Sequence, residues 1–113
     1  MNKLFSQLGL ARRAGKLATG DEIVLKAIRS KEAKLVFVAE NASDNTKKKF
    51  RDKCRTYGVP LVIGFDRVQL GVSVGRPERV VLAVTDKGFA NMMQNGLKSM
   101  SEVEYIEQAG EGQ

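Results

Sequence analysis

The chain has 113 residues, 42% of them hydrophobic, and carries a formal net charge of +6 from 19 Lys and Arg against 13 Asp and Glu. That length suits one domain around a single core, and the positive balance favours polyanionic partners. No apolar run approaches the ~20 residues of a membrane helix. The start MNKLFSQLGLARRAG lacks the apolar stretch and cleavage site of a secretory signal. With one cysteine, Cys54, no intrachain disulfide can form, and a cytoplasmic location is expected.

Residues 2 to about 14 suit a first helix, with Leu4, Phe5, Leu8 and Ala11 on one stripe and Lys3, Gln7 and Arg12 facing away. Gly15 ends it, and 16–19 reads as a short edge strand. A second helix begins near Gly20, with Thr19 or Asp21 as its cap, and runs to about Arg29. It buries Val24, Ala27 and Ile28 and leaves Glu22, Lys26 and Arg29 outside. Leu35 to Ala39 is an unbroken apolar run, the pattern of a strand covered on both faces. Ser43 or Asp44 caps a third helix whose stripe is Phe50, Cys54 and Tyr57, and Gly58 ends it. Val59 to Ile63 is the next strand, with Pro60 at its beginning, where a missing N–H is tolerated. Asp66 caps a short helix through Leu70, and the loop GVSVGRPER follows. Val80 to Val84 is a further covered strand. Asp86 caps a last helix with Phe89, Met92, Met93, Leu97 and Met100 on one face. Val103 to Ile106 reads as a final short strand, and the tail from about 108, ending GEGQ, as frayed.

Strands alternating with helices predict an α/β fold, a three-layer α-β-α sandwich around a small mixed sheet, and a single domain over 1–113. Charge is unevenly spread. Arg12, Arg13 and Lys16 lie together, Lys47 to Lys49 form a run, and acidic residues gather after Glu102, so one face should be positive.

Catalytic chemistry finds no support. The sequence has no histidine, which removes the commonest general base and the commonest zinc ligand. Cys54 sits on an apolar stripe, where a structural thiol is the simpler reading, and one cysteine without histidine offers no zinc site of familiar spacing. GVSVG at 71–75 has the spacing of neither a dinucleotide fingerprint nor a P-loop. Asp21 and Glu22 are adjacent on a helix and point in different directions, so a cap and first-turn dipole role explains them simply. Lys47 to Lys49 alone would be a solvated helix face. No cofactor or metal is expected, and no enzyme activity.

The stretches NKLFSQLGLARRAGKLATGDE, VLKAIRSKEAKLVFVAENAS, NTKKKF and QLGVSVGRPERVVLAVTD cover residues 2 to about 86. Taken together they resemble the kink-turn RNA-binding superfamily of ribosomal proteins, which includes the archaeal L-seven-Ae and eukaryotic L-thirty-e proteins. The resemblance is closest to the small bacterial YlxQ-type members. It implies recognition of a kink-turn, two RNA stems meeting at a sharp bend beside a short bulge and sheared G·A pairs. An A-form major groove is too deep and narrow for side chains, and the kink opens it to a helix N-terminus. In the family that helix start is a Gly-Thr-Asn-Glu-type or Gly-Thr-Lys-Gln-type segment followed by a lysine; here it corresponds to Gly20, Asp21, Glu22, Ile23 and Lys26. Glu40 and Asn41 match a second contact region, and Val72, Ser73, Val74 and Arg76 lie in the loop that packs on the extruded nucleotide.

Three positions depart from the pattern. Glu22 replaces asparagine or lysine, and a carboxylate cannot donate to guanine O6 or N7. Ile23 replaces glutamate or glutamine, and Val72 stands where several relatives carry lysine. The resemblance thus implies a non-catalytic RNA-binding protein of ribosomal or regulatory RNA, working as a monomer away from membranes, with ribosome or other translation machinery as a further partner. Lys26, Lys16, Arg12 and Lys47 are expected to meet phosphates, Gly20 to allow close approach, and Val74 with its neighbours to cover an unstacked base. The alternative is a translation-associated protein-interaction factor that kept the fold and binds RNA weakly, which the acidic pair 21–22 favours.

Overall fold

The two uninterrupted apolar runs become the centre of a sheet. A computed structural model describes residues 3–108. Its elements are α1 (Lys3–Arg13), β1 (Leu17–Thr19), α2 (Asp21–Arg29), β2 (Leu35–Val38), α3 (Asp44–Tyr57), β3 (Leu61–Ile63), α4 (Arg67–Ser73), β4 (Val81–Val84), α5 (Lys87–Leu97) and β5 (Glu104–Ile106). Strands β2 and β4 pair antiparallel, with Val36 opposite Ala83 and Val38 opposite Val81. Across the sheet the order is β1-β4-β2-β3-β5. The β2–β3 pair is parallel, and the β1–β4 and β3–β5 pairs are antiparallel. Helices α2 and α3 pack together on one face and α1, α4 and α5 on the other. This is the three-layer α-β-α sandwich with a mixed sheet that the alternation predicts. All of β2 and β4 is buried, as strands covered on both faces must be.

Strands β1, β2 and β3 run in the same direction, so their carboxyl ends meet at one end of the sheet. Helices α2, α3 and α4 each begin there. Three helix starts, with their inward-pointing N–H groups, are thereby gathered on one rim.

Local chemistry explains the helix limits. Ser43 Oγ accepts from the Thr46 N–H and begins α3, and Gly58 ends it in the left-handed region at φ 71°. Val59 donates its N–H to the Cys54 carbonyl at 2.9 Å and Pro60 has none to give, so β3 starts at Leu61, two residues later than the apolar run predicts. Helix α4 is longer than expected. A reciprocal pair of bonds between Asp66 and Gln69 starts it, and it continues through Gly71 and Val72 to Ser73, taking the first part of the expected loop into the helix.

Two amphipathic stripes also need correction. Gln7 is buried beside Leu4, Leu8 and Ala11, because position 7 lies only about 40° beyond Ala11 around the helix and so extends the packed arc. Phe5 lies at the edge of that arc, with its ring edge-on to Phe65 at 4.9 Å. On α5 the buried line is Ala90, Met93 and Leu97, while Met92 faces out and Met100 lies beyond the helix. Five apolar positions span more of the circumference than one packed face can cover. The first residue of the expected α1 and the tail from 109 lie outside the described residues.

Candidate nucleic-acid interface

Gly20 sits where β1 turns into α2, with φ 98° and ψ 144°. A side chain at this φ would be strained, so glycine answers a backbone requirement here. No side chain caps this helix start. Neither Thr19 nor Asp21 does so, contrary to the sequence expectation, because Asp21 Oδ2 instead accepts from Lys49 Nζ of α3 at 3.1 Å. Helices α3, α4 and α5, by contrast, are closed by Ser43, Asp66 and Asp86. The first intrahelical bond of α2 is Val24 N–H to the Gly20 carbonyl, at 2.9 Å. Among the described residues no group accepts from the N–H groups of Asp21, Glu22 and Ile23, which make an acceptor-binding edge of backbone.

The loop after α4 forms the other wall. Gly20 and Asp21 share a cleft of about 250 Å³ with Glu78, Arg79, Val80 and Val81. Next to it, Arg12, Leu17, Thr19, Val74 and Arg76 enclose a second hollow of about 160 Å³. Two bonds hold the loop: Arg76 N–H to the Gly71 carbonyl at 2.8 Å and Arg79 N–H to the Arg67 carbonyl at 2.9 Å. Gly71 lets the loop close on α4, since a Cβ there would lie 2.3 Å from Glu78 Cα. At Gly75, φ 77°, the backbone turns beneath the Arg12 guanidinium. The rim of the cleft therefore carries Arg12, Arg76 and Arg79.

The remaining expected site residues fall in different places. Ala39 donates to the Val80 carbonyl at 2.8 Å, which sets Glu40 and Asn41 on the same rim. Asn41 has a structural task there: its Oδ1 accepts from Arg67 N at 3.0 Å and its carbonyl from Arg67 Nη2 at 3.0 Å, tying the β2–α3 turn to α4. Glu40 is exposed, as are Lys16, Glu22 and Lys26. Ser73 turns inward and gives its hydroxyl to the Leu70 carbonyl at 2.7 Å.

Val74 does not present its side chain to a partner. It is 1% exposed, whereas Val72 is 64% exposed, so Val72 is the valine that offers apolar surface, in the hollow between α1 and α4. Lys47 also departs from expectation. It is half-buried on the β5 side of α3, where its charge acts on Glu104. Two residues on, about 200° around the helix, Lys49 faces α2 and meets Asp21. Lys49 and Arg79 are thus the cations at the α2 start that residue-type reasoning passed over. Both were visible as positive charges, one within a run read as solvated and one within a loop read as a turn.

The other described residues add no competing catalytic or metal centre. Burial pushes the Cys54 thiol up to about 12, so it stays protonated and inert at neutral pH. Among the described residues no group of His, Cys, Asp and Glu could hold a metal ion, and no helix is long and apolar enough to cross a membrane.

The family described as "Ribosomal protein L7Ae/L30e/S12e/Gadd45 family" matches residues 2–94. The chain belongs to that family. Its matched span takes in every element from α1 to β4 and most of α5, and so includes the whole rim. Within the L7Ae family, the chain is 52% identical over 89 residues to the RNA-binding protein YlxQ of Bacillus subtilis, covering 79% of this chain and 89% of that one. It is 47% identical over 88 residues to the RNA-binding protein YlxQ of Enterococcus faecium, covering 78% and 84%. The large ribosomal subunit protein eL30 of Aeropyrum pernix is 31% identical over 84 residues, covering 73% and 84%. A solved structure from Bacillus halodurans, described as a protein with unknown function, superposes with a TM-score of 0.85 at 39% identity, covering 88% of this chain and 100% of that one. The resemblance read from the motifs, bacterial YlxQ type first and L-thirty-e type more distantly, is met on both counts.

Proposed function

We propose that the chain is a non-catalytic RNA-binding protein that recognises a kink-turn in structured ribosomal or regulatory RNA. The observation that carries the reading is the uncapped start of α2: three open N–H groups behind a bare glycine, on a rim flanked by Arg12, Arg76 and Arg79. These are groups that meet phosphate and base acceptors when a kink opens the groove. Two relatives of about half identity named as RNA-binding proteins, and a ribosomal-protein relative, support the same partner class.

On this reading Gly20 allows close approach, Lys26, Lys16 and Arg12 meet phosphates, and Lys49 supplies the charge first assigned to Lys47. Val72 covers the extruded base, and Val74 holds the loop from beneath. Glu40 and Arg76 lie at the margins, and Asn41 acts by fixing the turn. One copy of the chain suffices, and the RNA is met in the cytoplasm.

The test is a gel shift with a kinked RNA against the same two stems without the bulge. Preference for the kinked RNA is expected. If about four phosphates are neutralised in a mostly duplex RNA, log affinity should fall against log salt with a slope on the order of −3. Equal binding of both RNAs would reduce the reading to unspecific duplex affinity, and no binding at low salt would remove RNA as the partner.

A further inference from the structure

On the other face of the sheet, α1 and α4 approach each other at Gly9, where a Cβ would come within 3.2 Å of the Ser73 carbonyl. Outward from that contact the two helices frame a groove of about 740 Å³. Three of the five large hydrophobic side chains exposed among the described residues line it: Leu10 at 47%, Val68 at 53% and Val72 at 64%. Val68 and Val72 stand one turn apart on α4 and form a continuous aliphatic wall opposite Leu10. Leaving such a wall in water forgoes the favourable burial that every other packed face of this protein obtains. Among the described residues the only charged ones lining the groove are Arg12 and Arg13, at the carboxyl end of α1, and no carboxylate among them lines it.

The chemistry of the groove selects among occupants. Single-stranded RNA is usually held by flat surfaces on which bases stack. The one aromatic ring in the groove among the described residues, Phe5, is half-buried and already engaged with Phe65. A second copy of the chain, joined through the same groove on both sides of a two-fold axis, would bury two Arg12–Arg13 pairs against grooves that hold no acidic partner among the described residues. A third helix laid between two helices suffers neither fault. Its apolar stripe can reach Leu10, Val68 and Val72, and acidic residues at one end can answer the two arginines.

We propose that the α1–α4 groove docks an amphipathic helix of a partner protein, aliphatic along one face and acidic at the end beside Arg12 and Arg13. The groove shares Arg12 and Val72 with the kink-turn reading at one end, but its Leu10 and Val68 walls lie beyond that reading and the proposal does not depend on it.

The experiment uses the full chain with methyl-labelled Leu and Val. The probe is a synthetic helical peptide with leucines at i, i+3, i+4 and i+7 and a cluster of glutamates at one end. Two control peptides carry lysines for the glutamates or serines for the leucines. The expected result is saturable shifts of the Leu10 and Val68 methyls with the acidic peptide alone. In Val68→Asp the affinity should fall roughly tenfold or more, the worth of one buried aliphatic side chain. Arg13→Glu should reverse the preference toward the lysine-ended peptide, a readout that a loss of folding would not produce. Affinity for kinked RNA should be unchanged in Val68→Asp. Failure of the wild-type chain to bind any RNA would leave the peptide arm intact and count only against the RNA reading. Equal affinity for acidic and basic peptides, or no shift at millimolar peptide, overturns the proposal. A dimer in sedimentation equilibrium that Leu10→Glu dissolves gives the groove to a second copy and overturns it too. So does a kinked RNA that shifts the same methyls and binds Val68→Asp weakly.

Discussion

Replacing Gly71 by alanine tests whether the loop on the RNA-facing rim is held in place by α4. An ideal Cβ at this position would lie 2.3 Å from Glu78 Cα, 2.5 Å from its N and 2.6 Å from its carbonyl carbon. All three are backbone atoms, so no side chain can rotate away, and the loop itself must retreat by about an ångström. Overpacking of this kind costs about 1–3 kcal/mol. The retreat also strains the Arg76–Gly71 and Arg79–Arg67 bonds, each worth ~0.5–1.5 kcal/mol. Against this stands the better helix propensity of alanine, at most about 1 kcal/mol. The net expectation is a loss of about 2 kcal/mol in urea unfolding followed by circular dichroism. Because the displaced segment lines the cleft with Gly20 and Asp21, RNA affinity should fall as well, in protein that circular dichroism shows to be folded. Gly96→Ala is the matched control: it lies in α5 with nothing within 4 Å of its Cβ position, so the same substitution there should stabilise. If Gly71→Ala is as stable as Gly96→Ala, the loop is not pinned by close approach to α4, and the geometry assigned to the rim is wrong.

Glu22→Asn should tighten kink-turn binding or leave it unchanged, measured at one salt concentration with folding checked. The exposed carboxylate repels phosphates, while an amide can donate to a base edge in a contact worth about 1–3 kcal/mol; a clear loss of affinity would mean that Glu22 itself accepts from the RNA. Lys49→Ala should weaken RNA binding, and Asp21→Asn in the same chain should recover part of the loss, since the ion pair leaves Asp21 uncompensated when Lys49 is removed; additive effects in the double-mutant cycle would show that the two side chains act separately. Hydrogen bonds from Arg51 at 2.7 and 2.9 Å hold the Glu104 carboxyl below its ordinary range. Its contribution is therefore present above the unfolded value near pH 4.3 and lost as pH falls through the lower folded value. For a pair this exposed it amounts to at most about 1 kcal/mol, and Glu104→Gln should flatten the acid side of the stability curve by that amount; an unchanged curve would remove the clamp as a source of stability.

Where one segment's chemistry is self-contained, the sequence is a sufficient guide. Ser43, Phe50, Cys54 and Gly58 start, anchor and end α3 from within a single stretch, and each does what its residue type predicts. The runs in β2 and β4 are equally legible, because a strand covered on both faces has no alternation to misread. The errors arise where distant segments meet. Asp21 has the chemistry of a cap, but Lys49, 28 residues away in the chain, claims its carboxylate. Val72 and Val74 look equivalent in a glycine-flanked loop, yet the helix continues through Ser73 and turns one outward and the other into the core. Lys47 and Lys49 look equivalent in a run, yet lie on opposite flanks of α3. In each case a one- or two-residue difference in register decides which side chain reaches the rim, and that register is set by tertiary packing.

The open start of α2 has a stability consequence that the rest of the fold absorbs. A Ser, Thr, Asp or Asn cap is typically worth ~1 kcal/mol, and the other three helices beginning after the second strand all have one. Helix α2 goes without, at a φ that no capping side chain would adopt readily. At nine residues it is also too short to be stable on its own propensity. What holds it is the burial of Val24, Leu25, Ala27 and Ile28 against β1, β4 and α3, far more than one cap supplies. The anchoring energy comes from the inner face and the carboxyl-terminal half, so the first turn is free to keep its donors unpaired. A cap would satisfy those donors permanently and add little to a helix already held by its core. The Lys49–Asp21 pair completes the arrangement: it stops the nearest carboxylate from folding back onto the helix start, and it offsets a negative charge beside groups suited to anions.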